Sequence, residues 1–179
     1  GPSDSTPIKD GALATGIAWL AKEGWRSLAE MTGDKIKGAK FTVTESKTNL
    51  VKFAVRYELD EPGVTAVIEN YEVTPDQIRV AAEVQGDVSK IKVRFPALAF
   101  DGENAAQISI NGAQASVALA GSRQTFTVES DAGIHLQRNG QWISSRNGFL
   151  EAIEGEISGQ RVVYTLRPEM VAAPLPKKK

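Results

Sequence analysis

The sequence predicts an all-β domain, an antiparallel β-sandwich with a short N-terminal helix. Apolar and polar residues alternate through most of the chain after about residue 41, which is the two-residue period of half-buried strands. Short turn sequences separate these segments at intervals of about ten residues. Because such intervals are too short for the helical crossovers that join parallel strands, the strands are expected to be antiparallel.

Composition limits the classes of function. The 179 residues are 41% hydrophobic and 24% charged, which suits one globular domain. Twenty-one Lys and Arg face 22 Asp and Glu, and this balance argues against nucleic acid or an anionic membrane as a partner. The absence of Cys excludes disulfides and thiolate chemistry, and a single His excludes a multi-histidine metal centre. No apolar run is long enough for a membrane span.

Both ends are expected to lie outside the folded domain. The opening Gly1-Pro2-Ser3 resembles a protease cleavage scar, so residues 1–10 are expected to be a scar and a flexible start. The chain closes with AAPLPKKK, and residues 171–179 are therefore expected to form a flexible basic tail. Residues 11–170 form the predicted domain, and such ends suggest that it was cut from a longer protein.

The first predicted element is a helix over about residues 16–31. Ile17, Leu20, Ala21 and Leu28 follow the spacing of a helix with one apolar face. Gly24 costs roughly 1 kcal/mol in a helix interior, so a hairpin centred on Gly24 remains the alternative.

Strands follow in order. Between residues 50 and 59, Val51 and Phe53 alternate with Lys52 and Arg56. Further strands are predicted over residues 64–73, 78–84, 90–95, 107–110, 113–119 and 124–129, with Pro96 ending the fourth strand. The turn signals between strands are Glu61-Pro62-Gly63, Thr74-Pro75-Asp76, Gly86-Asp87, Asn111-Gly112 and Gly121-Ser122.

Three segments carry a resemblance to a known group of domains. They are VTAVIENYEVTPDQIRVAAEVQGD (64–87), VRFPALAFDGE (93–103) and RNGFLEAIEGEISGQRVVYTLRP (146–168), about a third of the chain. They resemble the C-terminal sandwich of heparinase II/III-like lyases and related supersandwich domains of polysaccharide-degrading enzymes. The resemblance implies a secreted or periplasmic, carbohydrate-associated accessory domain. In those lyases the catalytic His and Tyr lie mostly in an α-helical toroid, which this sequence lacks, so no catalytic residue is assigned.

Two Asn-Gly pairs predict hairpins within residues 134–153. Asn139-Gly140 is expected to pair Gln137 with Trp142, and Asn147-Gly148 to pair Arg146 with Phe149. The core face would then hold Ile134, Leu136, Ile143, Leu150 and Ala152. The opposite face would hold Ser144 and the six ligand-binding candidates, His135, Gln137, Trp142, Arg146, Phe149 and Glu151.

This predicted face has the composition of a sugar-binding surface. A Trp ring stacks on the apolar face of a pyranose, while planar polar groups bind its hydroxyls. The alternative is that Trp142 and Phe149 lie buried under a loop or the N-terminal helix, since large aromatic residues are usually buried.

Basic residues on the earlier strands are a second candidate surface. If they were neighbours, they would form a stripe that binds the sulfate or uronate groups of an anionic glycan. The six residues of this predicted basic stripe are Lys52, Arg56, Arg79, Lys90, Lys92 and Arg94. A solvated charged face is the alternative.

No cofactor is predicted. Asp101, Glu103 and Asn104 surround a Gly turn and are weak candidates for a structural calcium site, although a plain acidic turn is favoured. His135 is the single imidazole and could act as a general base, but a hydrogen-bonded surface residue is favoured.

Three functions are weighed. The favoured one is a non-catalytic module of a polysaccharide-active protein that binds glycan or supports a neighbouring catalytic domain. The alternative is a structural or protein-interaction sandwich, which predicts a buried Trp142 and a flat exposed apolar patch. A small polysaccharide lyase or hydrolase is third, with His135 and one of Tyr57, Tyr71 and Tyr164 as the proton-transfer pair. Homodimers formed through edge strands are left open.

Overall fold

Two antiparallel sheets make up the fold. The computed structural model describes residues 14–129 and 133–171. Within those ranges there are thirteen strands, and the helical segments are two 3-10 turns at Leu28–Glu30 and Gly33–Lys35. The strands are β1 (Gly16–Ala21), β2 (Gly24–Ser27), β3 (Ile36–Lys47), β4 (Leu50–Glu61), β5 (Val64–Val73), β6 (Ile78–Gly86), β7 (Lys90–Phe100), β8 (Gln107–Asn111), β9 (Gln114–Leu119), β10 (Ser122–Glu129), β11 (Gln137–Ser145), β12 (Gly148–Ser158) and β13 (Arg161–Met170). The predicted all-β antiparallel class is confirmed.

The sheets differ in width. One has five strands in the order β11-β12-β7-β1-β2, and the other has eight in the order β3-β4-β5-β6-β13-β10-β9-β8. Of the predicted ends, residues 1–10 and 171–179, all but Val171 lie outside the described residues. Among the described residues, no helix is long and apolar enough to cross a membrane.

The predicted N-terminal helix is wrong, because this segment forms the β1–β2 hairpin. Ala21 pairs with Gly24, and β1 adds to the edge of β7. Ile17, Ala18 and Trp19 are buried at 7%, 0% and 1% exposure, as is usual for a short apolar strand that lies between two others, here β7 and β2. Gly24 has φ +117°, outside the helical region, so the hairpin alternative is the correct one.

β7 also differs from its prediction, because Pro96 lies inside the strand. Pairing between β1 and β7 ends where Gly16 meets Arg94, so within the described part of the chain Pro96 has a paired neighbour only in β12. A proline without a backbone N–H is tolerated where one side of a strand is unpaired. The strand therefore continues to Phe100.

The core lies between the two sheets. Phe95 of β7 stacks on Phe126 of β10 at 4.7 Å between ring centroids, and Phe126 contacts Tyr164 of β13 at 5.6 Å. Phe126 is fully buried. These rings join the sheets through the kind of apolar contact whose truncation costs about 3–5 kcal/mol.

The wider sheet extends its core-facing side past the narrower one at β3 and β4. Phe41 and Val43 pair with Val55 and Phe53, on the side of the sheet that carries Tyr57. Phe41 is 61% exposed and Val43 is 52% exposed. This is an exposed apolar row of the kind that the protein-interaction alternative predicts.

The hairpin predicted at Asn139-Gly140 is wrong, because β11 continues through these residues. Arg138 lies opposite Ile153 and Trp142 lies opposite Glu151. Residues 139–141 therefore face Ala152 alone, which makes them a bulge rather than a turn.

The hairpin predicted at Asn147-Gly148 exists, but its register differs from the prediction. Ser145 pairs with Gly148 and Ser144 pairs with Phe149, so Arg146 and Asn147 are the turn residues. Gly148 has φ +128°, and a Cβ atom there would lie 2.0 Å from the Phe100 carbonyl oxygen. This close approach of β7 fixes glycine as the first residue of β12.

We expect Gly148→Ala to lower the free energy of unfolding by more than about 1 kcal/mol, because both the φ angle and the Phe100 carbonyl oppose a Cβ atom. Gly38→Ala is the matched control, because nothing lies within 4 Å of its Cβ position and its φ is ordinary. Urea denaturation of both variants measures the difference. Equal stability of the two variants would show that β7 does not approach Gly148 as closely as described.

Candidate functional site

Three aromatic side chains meet at one end of the five-stranded sheet, and we call them the aromatic platform. Phe100 ends β7, Trp142 lies on β11 and Phe149 lies on β12. The ring centroids are separated by 5.5 Å for Trp142–Phe149, 6.1 Å for Phe100–Trp142 and 6.3 Å for Phe100–Phe149. The ring planes lie within 34° of one another. Trp142 is 50% exposed and Phe149 is 38% exposed, so the platform reaches solvent.

Strand pairing brings the platform together. Phe149 lies opposite Phe100 across the β12–β7 ladder, and Trp142 lies opposite Glu151 across the β11–β12 ladder. Glu151 and Phe149 are two residues apart on β12, so they share a face of the sheet. Residues from three neighbouring strands thus form one surface.

A buried carboxylate fixes the Trp142 ring. The Trp142 indole Nε1–H donates to Glu151 Oε1 at 2.9 Å, and Arg138 Nη2 donates to the same oxygen at 3.1 Å. Arg138 Nε also donates to Glu151 Oε2, so the Arg–carboxylate contact is bidentate. Glu151 is only 2% exposed. The Arg138 contact is the main reason why the pKa of Glu151 is lowered, and the Trp142 hydrogen bond adds to this effect.

The arrangement suits binding rather than catalysis. An exposed indole of fixed orientation offers its apolar face to a flat ligand at little entropic cost, because the ring is already ordered. Aromatic rings beside planar polar groups are what sugar-binding surfaces use. Glu151 is held as a charged partner of Arg138, so it lacks the raised pKa of a general acid.

The predicted ligand-binding residues do not all share the Trp142 face. Since β11 does not reverse at Asn139-Gly140, odd-numbered and even-numbered residues stay on opposite sides of the sheet. Gln137 lies opposite Glu154, on the face that Trp142 does not use, and His135 is exposed between the buried Ile134 and Leu136.

The six candidates therefore divide into three groups. Trp142, Phe149 and Glu151 lie together as predicted, while Arg146 is in the turn between β11 and β12. His135 and Gln137 line a cavity of about 520 Å³ with Lys92 and Glu156, and Arg138 also lines this cavity.

The residues predicted to share the core face within residues 134–153 lie on two sides of the sheet, because β11 does not reverse at Asn139-Gly140. Ile134 and Leu136 pack where a Cβ atom on Gly155 would lie, within 2.9 Å of each. Ile143 pairs with Leu150 one residue away from the Trp142–Glu151 pair, and so lies on the other side of the sheet. The grouping of Ile134, Leu136, Ile143, Leu150 and Ala152 on one face is wrong.

The six residues of the predicted basic stripe lie on two different sheets. Lys52, Arg56 and Arg79 belong to the eight-stranded sheet, and Lys90, Lys92 and Arg94 belong to β7 of the five-stranded sheet. A single continuous stripe is therefore wrong.

Each of the six cations also lies beside at least one Glu side chain. The pairs are Lys52 with Glu45 and Glu72, Arg56 with Glu58, Arg79 with Glu72 and Glu129, Lys90 with Glu156, Lys92 with Glu154, and Arg94 with Glu30 and Glu154. Such pairs reduce the field that an anionic glycan would meet. Anionic-glycan binding on either sheet stays a prediction.

The acidic turn uses its first carboxylate for its own backbone. Asp101 Oδ1 accepts hydrogen bonds from the backbone N–H groups of Glu103 at 2.8 Å and Asn104 at 2.7 Å. These backbone bonds lower the pKa of Asp101. No group of three His, Cys, Asp or Glu that could hold a metal ion occurs in the described ranges. Calcium at this turn stays a prediction.

The suggested proton-transfer pair is not brought together in one cavity. Tyr57 and Tyr71 line a different cavity from His135. Tyr164 is 2% exposed and packs against Phe126 in the core. A catalytic His–Tyr pair therefore finds no support in this geometry.

Two residues of the site, Phe100 and Arg138, are not predicted from the sequence. Phe100 was missed because Pro96 was expected to end β7 four residues earlier. Arg138 was missed because a hairpin at Asn139-Gly140 would use it as a turn-flanking residue. The continuous apolar run Ala97-Leu98-Ala99-Phe100 after Pro96 is the signal that could have extended the strand.

Comparison with known proteins shows a likeness in fold. No protein-family model matches the chain, and no curated protein matches it in sequence. The heparan sulfate lyase HepC from Pedobacter heparinus matches 74% of this chain at a TM-score of 0.58 and 12% identity. A heparinase III gene product matches 79% of this chain at a TM-score of 0.57 and 10% identity.

The matched region is a small part of each lyase. It covers 22% of the HepC chain and 23% of the heparinase III chain. This chain thus spans less than a quarter of the length of these lyases and shares the fold of that part. The predicted resemblance to heparinase-type sandwich domains is confirmed at the level of fold.

We expect Arg138→Ala to destabilise the domain more than Glu151→Gln does. The first variant leaves the buried Glu151 carboxylate with only the Trp142 indole, a loss of about 2–4 kcal/mol. The second leaves Arg138, whose side chain is 43% exposed, free to be hydrated, a loss of about 1 kcal/mol. Chemical denaturation at pH 7 measures both losses, and the reverse order would contradict a buried carboxylate at this position.

The pH dependence supplies a second measure of the same variants. Since the pKa of Glu151 is lowered in the folded state, its stabilising contribution is complete above the unfolded value near 4.5 and is lost as pH falls through the folded pKa. The difference between wild type and Arg138→Ala should therefore shrink on acidification. A difference that is constant with pH would contradict the ion pair.

Proposed function

We propose that this chain is a non-catalytic domain of a longer, extracytoplasmic polysaccharide-active enzyme, and that it binds glycan on the aromatic platform. The observation that carries the proposal is the exposure of Trp142. The protein-interaction alternative predicts this ring to be buried, whereas half of its surface reaches solvent while its indole N–H is held by Glu151. An ordered, solvent-facing indole has no role in packing the core and is suited to stacking on a sugar ring.

The comparisons support the polysaccharide setting. The solved structures of similar fold are named as a heparan sulfate lyase and a heparinase III, and the matched part is a minor fraction of each. We infer that the remainder of a longer enzyme would supply the catalytic residues. The exposed row of Phe41 and Val43 supports a contact with such a neighbouring domain.

The geometry also bears on the type of glycan. Arg138 uses Nε and Nη2 for Glu151, so Nη1 takes no part in that contact and can donate to a ligand. Arg146 is exposed in the turn that follows β11. These donors can bind the hydroxyls of a neutral sugar or the acidic groups of an anionic one, so the salt dependence of binding distinguishes the two.

Affinity electrophoresis tests the proposal with gels that contain heparan sulfate, alginate or the neutral polysaccharide xylan. We expect at least one polysaccharide to retard the wild type, and Trp142→Ala to weaken that retardation about tenfold, a loss of about 1.4 kcal/mol of binding. Trp25→Ala is the matched control, because Trp25 lies on β2 against Lys92, away from the platform.

Two outcomes would contradict platform binding. One is a folded wild-type protein that none of the three polysaccharides retards. The other is a Trp142→Ala variant that is retarded as strongly as Trp25→Ala. Retardation that falls steeply with salt would identify an anionic glycan, and retardation that persists would identify a neutral one.

A further inference from the structure

An acidic side chain lies on the core-facing side of the eight-stranded sheet. Glu69 of β5 pairs with Val55 of β4 and Ala82 of β6, and its neighbour at the next inward position, Val67, is fully buried. Strand alternation would ordinarily place an apolar residue at this position. Burying a carboxyl in this way is unfavourable unless something compensates it.

The described residues stabilise the buried Glu69 carboxyl only in part. The Tyr71 hydroxyl donates to Glu69 Oε2 at 2.6 Å. Glu69 forms no salt bridge among the described residues, and burial raises its pKa although the Tyr71 hydrogen bond opposes this effect. The Glu69 carboxyl and the Tyr57 and Tyr71 hydroxyls thus lie together in a partly desolvated site, where burial and Glu69 raise the pKa values of both tyrosines.

This group opens into a cavity between the sheets. The cavity has a volume of about 390 Å³, at the lower end of the range for small-molecule sites. Tyr57, Glu69 and Tyr71 line one side, and Ile17, Leu28 and Ser27 lie among the residues of the other. The Ser27 hydroxyl is buried and has no hydrogen-bond partner among the described residues. Residues from both sheets therefore surround a space with unused polar groups.

The paired cation at the cavity disfavours an anionic ligand. Arg94 lines the cavity, but its guanidinium is paired with Glu30 at 3.1 Å and Glu154 at 3.5 Å. Glu69 accepts a hydrogen bond from Tyr71, and burial raises its pKa. The cavity thus offers hydrogen-bonding groups and tyrosine rings, and the described residues that line it include no unpaired cation.

We propose that the cavity lined by Tyr57, Glu69 and Tyr71 is a binding site for one neutral, hydroxyl-bearing ring, such as a single pyranose. The ring would exchange hydrogen bonds with the Glu69 carboxyl and the Tyr57 hydroxyl while its apolar face contacts the tyrosine rings. This site is separate from the aromatic platform and does not depend on glycan binding there.

Saturation-transfer NMR tests the site in the Trp142→Ala variant, so that the platform does not contribute. The probe is methyl α-glucopyranoside, and we expect saturation transfer with a dissociation constant on the order of 1 mM. Glu69→Ala should weaken binding at least tenfold, and Tyr57→Phe, which removes only a hydroxyl, should weaken it severalfold. Glu72→Ala is the matched control, because Glu72 lies on the opposite face of the same strand and should leave binding unchanged.

Charged sugars related to the probe test whether the site prefers a neutral ligand. Weaker transfer to methyl glucuronide and to glucosamine would support the assignment of a neutral ligand. Stronger binding of either one would overturn it. No transfer to the neutral glycoside in the folded Trp142→Ala protein, or transfer unchanged by both Glu69→Ala and Tyr57→Phe, would overturn the site itself.

Discussion

The buried carboxylate of Glu151 is the interaction on which the candidate site depends. It accepts a bidentate contact from Arg138 and a hydrogen bond from the Trp142 indole, and it is almost entirely removed from solvent. A buried carboxylate is tolerated only when its oxygens are bound by donors, so the two donor side chains are held in place as a consequence. Trp142 is therefore ordered although half of its surface is exposed. A side chain that is both ordered and exposed is suited to ligand binding, because it loses little conformational entropy when a ligand binds.

Backbone geometry brings these side chains into contact. The bulge at residues 139–141 places Trp142 opposite Glu151, while Arg138, on the other side of the bulge, stays on the same face. The close approach of β7 at Gly148 sets the register of β12 and thereby brings Phe149 beside Phe100. The platform is thus built from two local irregularities on three strands of a regular sheet. Bulges that direct side chains toward a site are a common use of such irregularities.

Much of the fold follows from the sequence, and the site follows only in part. The strands between residues 50 and 129 are recognisable because one face of each packs against the other sheet, which imposes alternation. The helix expected over residues 16–31 is wrong because the segment fits both periods: Ile17, Leu20 and Ala21 have helical spacing, whereas Ile17 and Trp19 have strand spacing. Pairing with the edge of β7 selects the strand. Asn139-Gly140 has the same local chemistry in a hairpin and in a bulge. The pairing of Gln137 and Arg138 with Glu154 and Ile153 of β12, instead of with residues just after the Asn-Gly pair, is what makes it a bulge. The hairpin expected from the sequence placed His135 and Gln137 on the Trp142 face.

The central claim is that Trp142 is a sugar-contacting ring, and its indole resonance tests this claim most directly. The chain has three Trp residues, so a ¹H–¹⁵N spectrum contains three indole signals, which single Trp→Phe variants assign. On titration with the polysaccharide fragment that the protein retains best, the account predicts a progressive shift of the Trp142 signal, while the signal of Trp19, which is buried in the core, stays in place. A Trp142 signal that does not move while other resonances report binding would contradict the account.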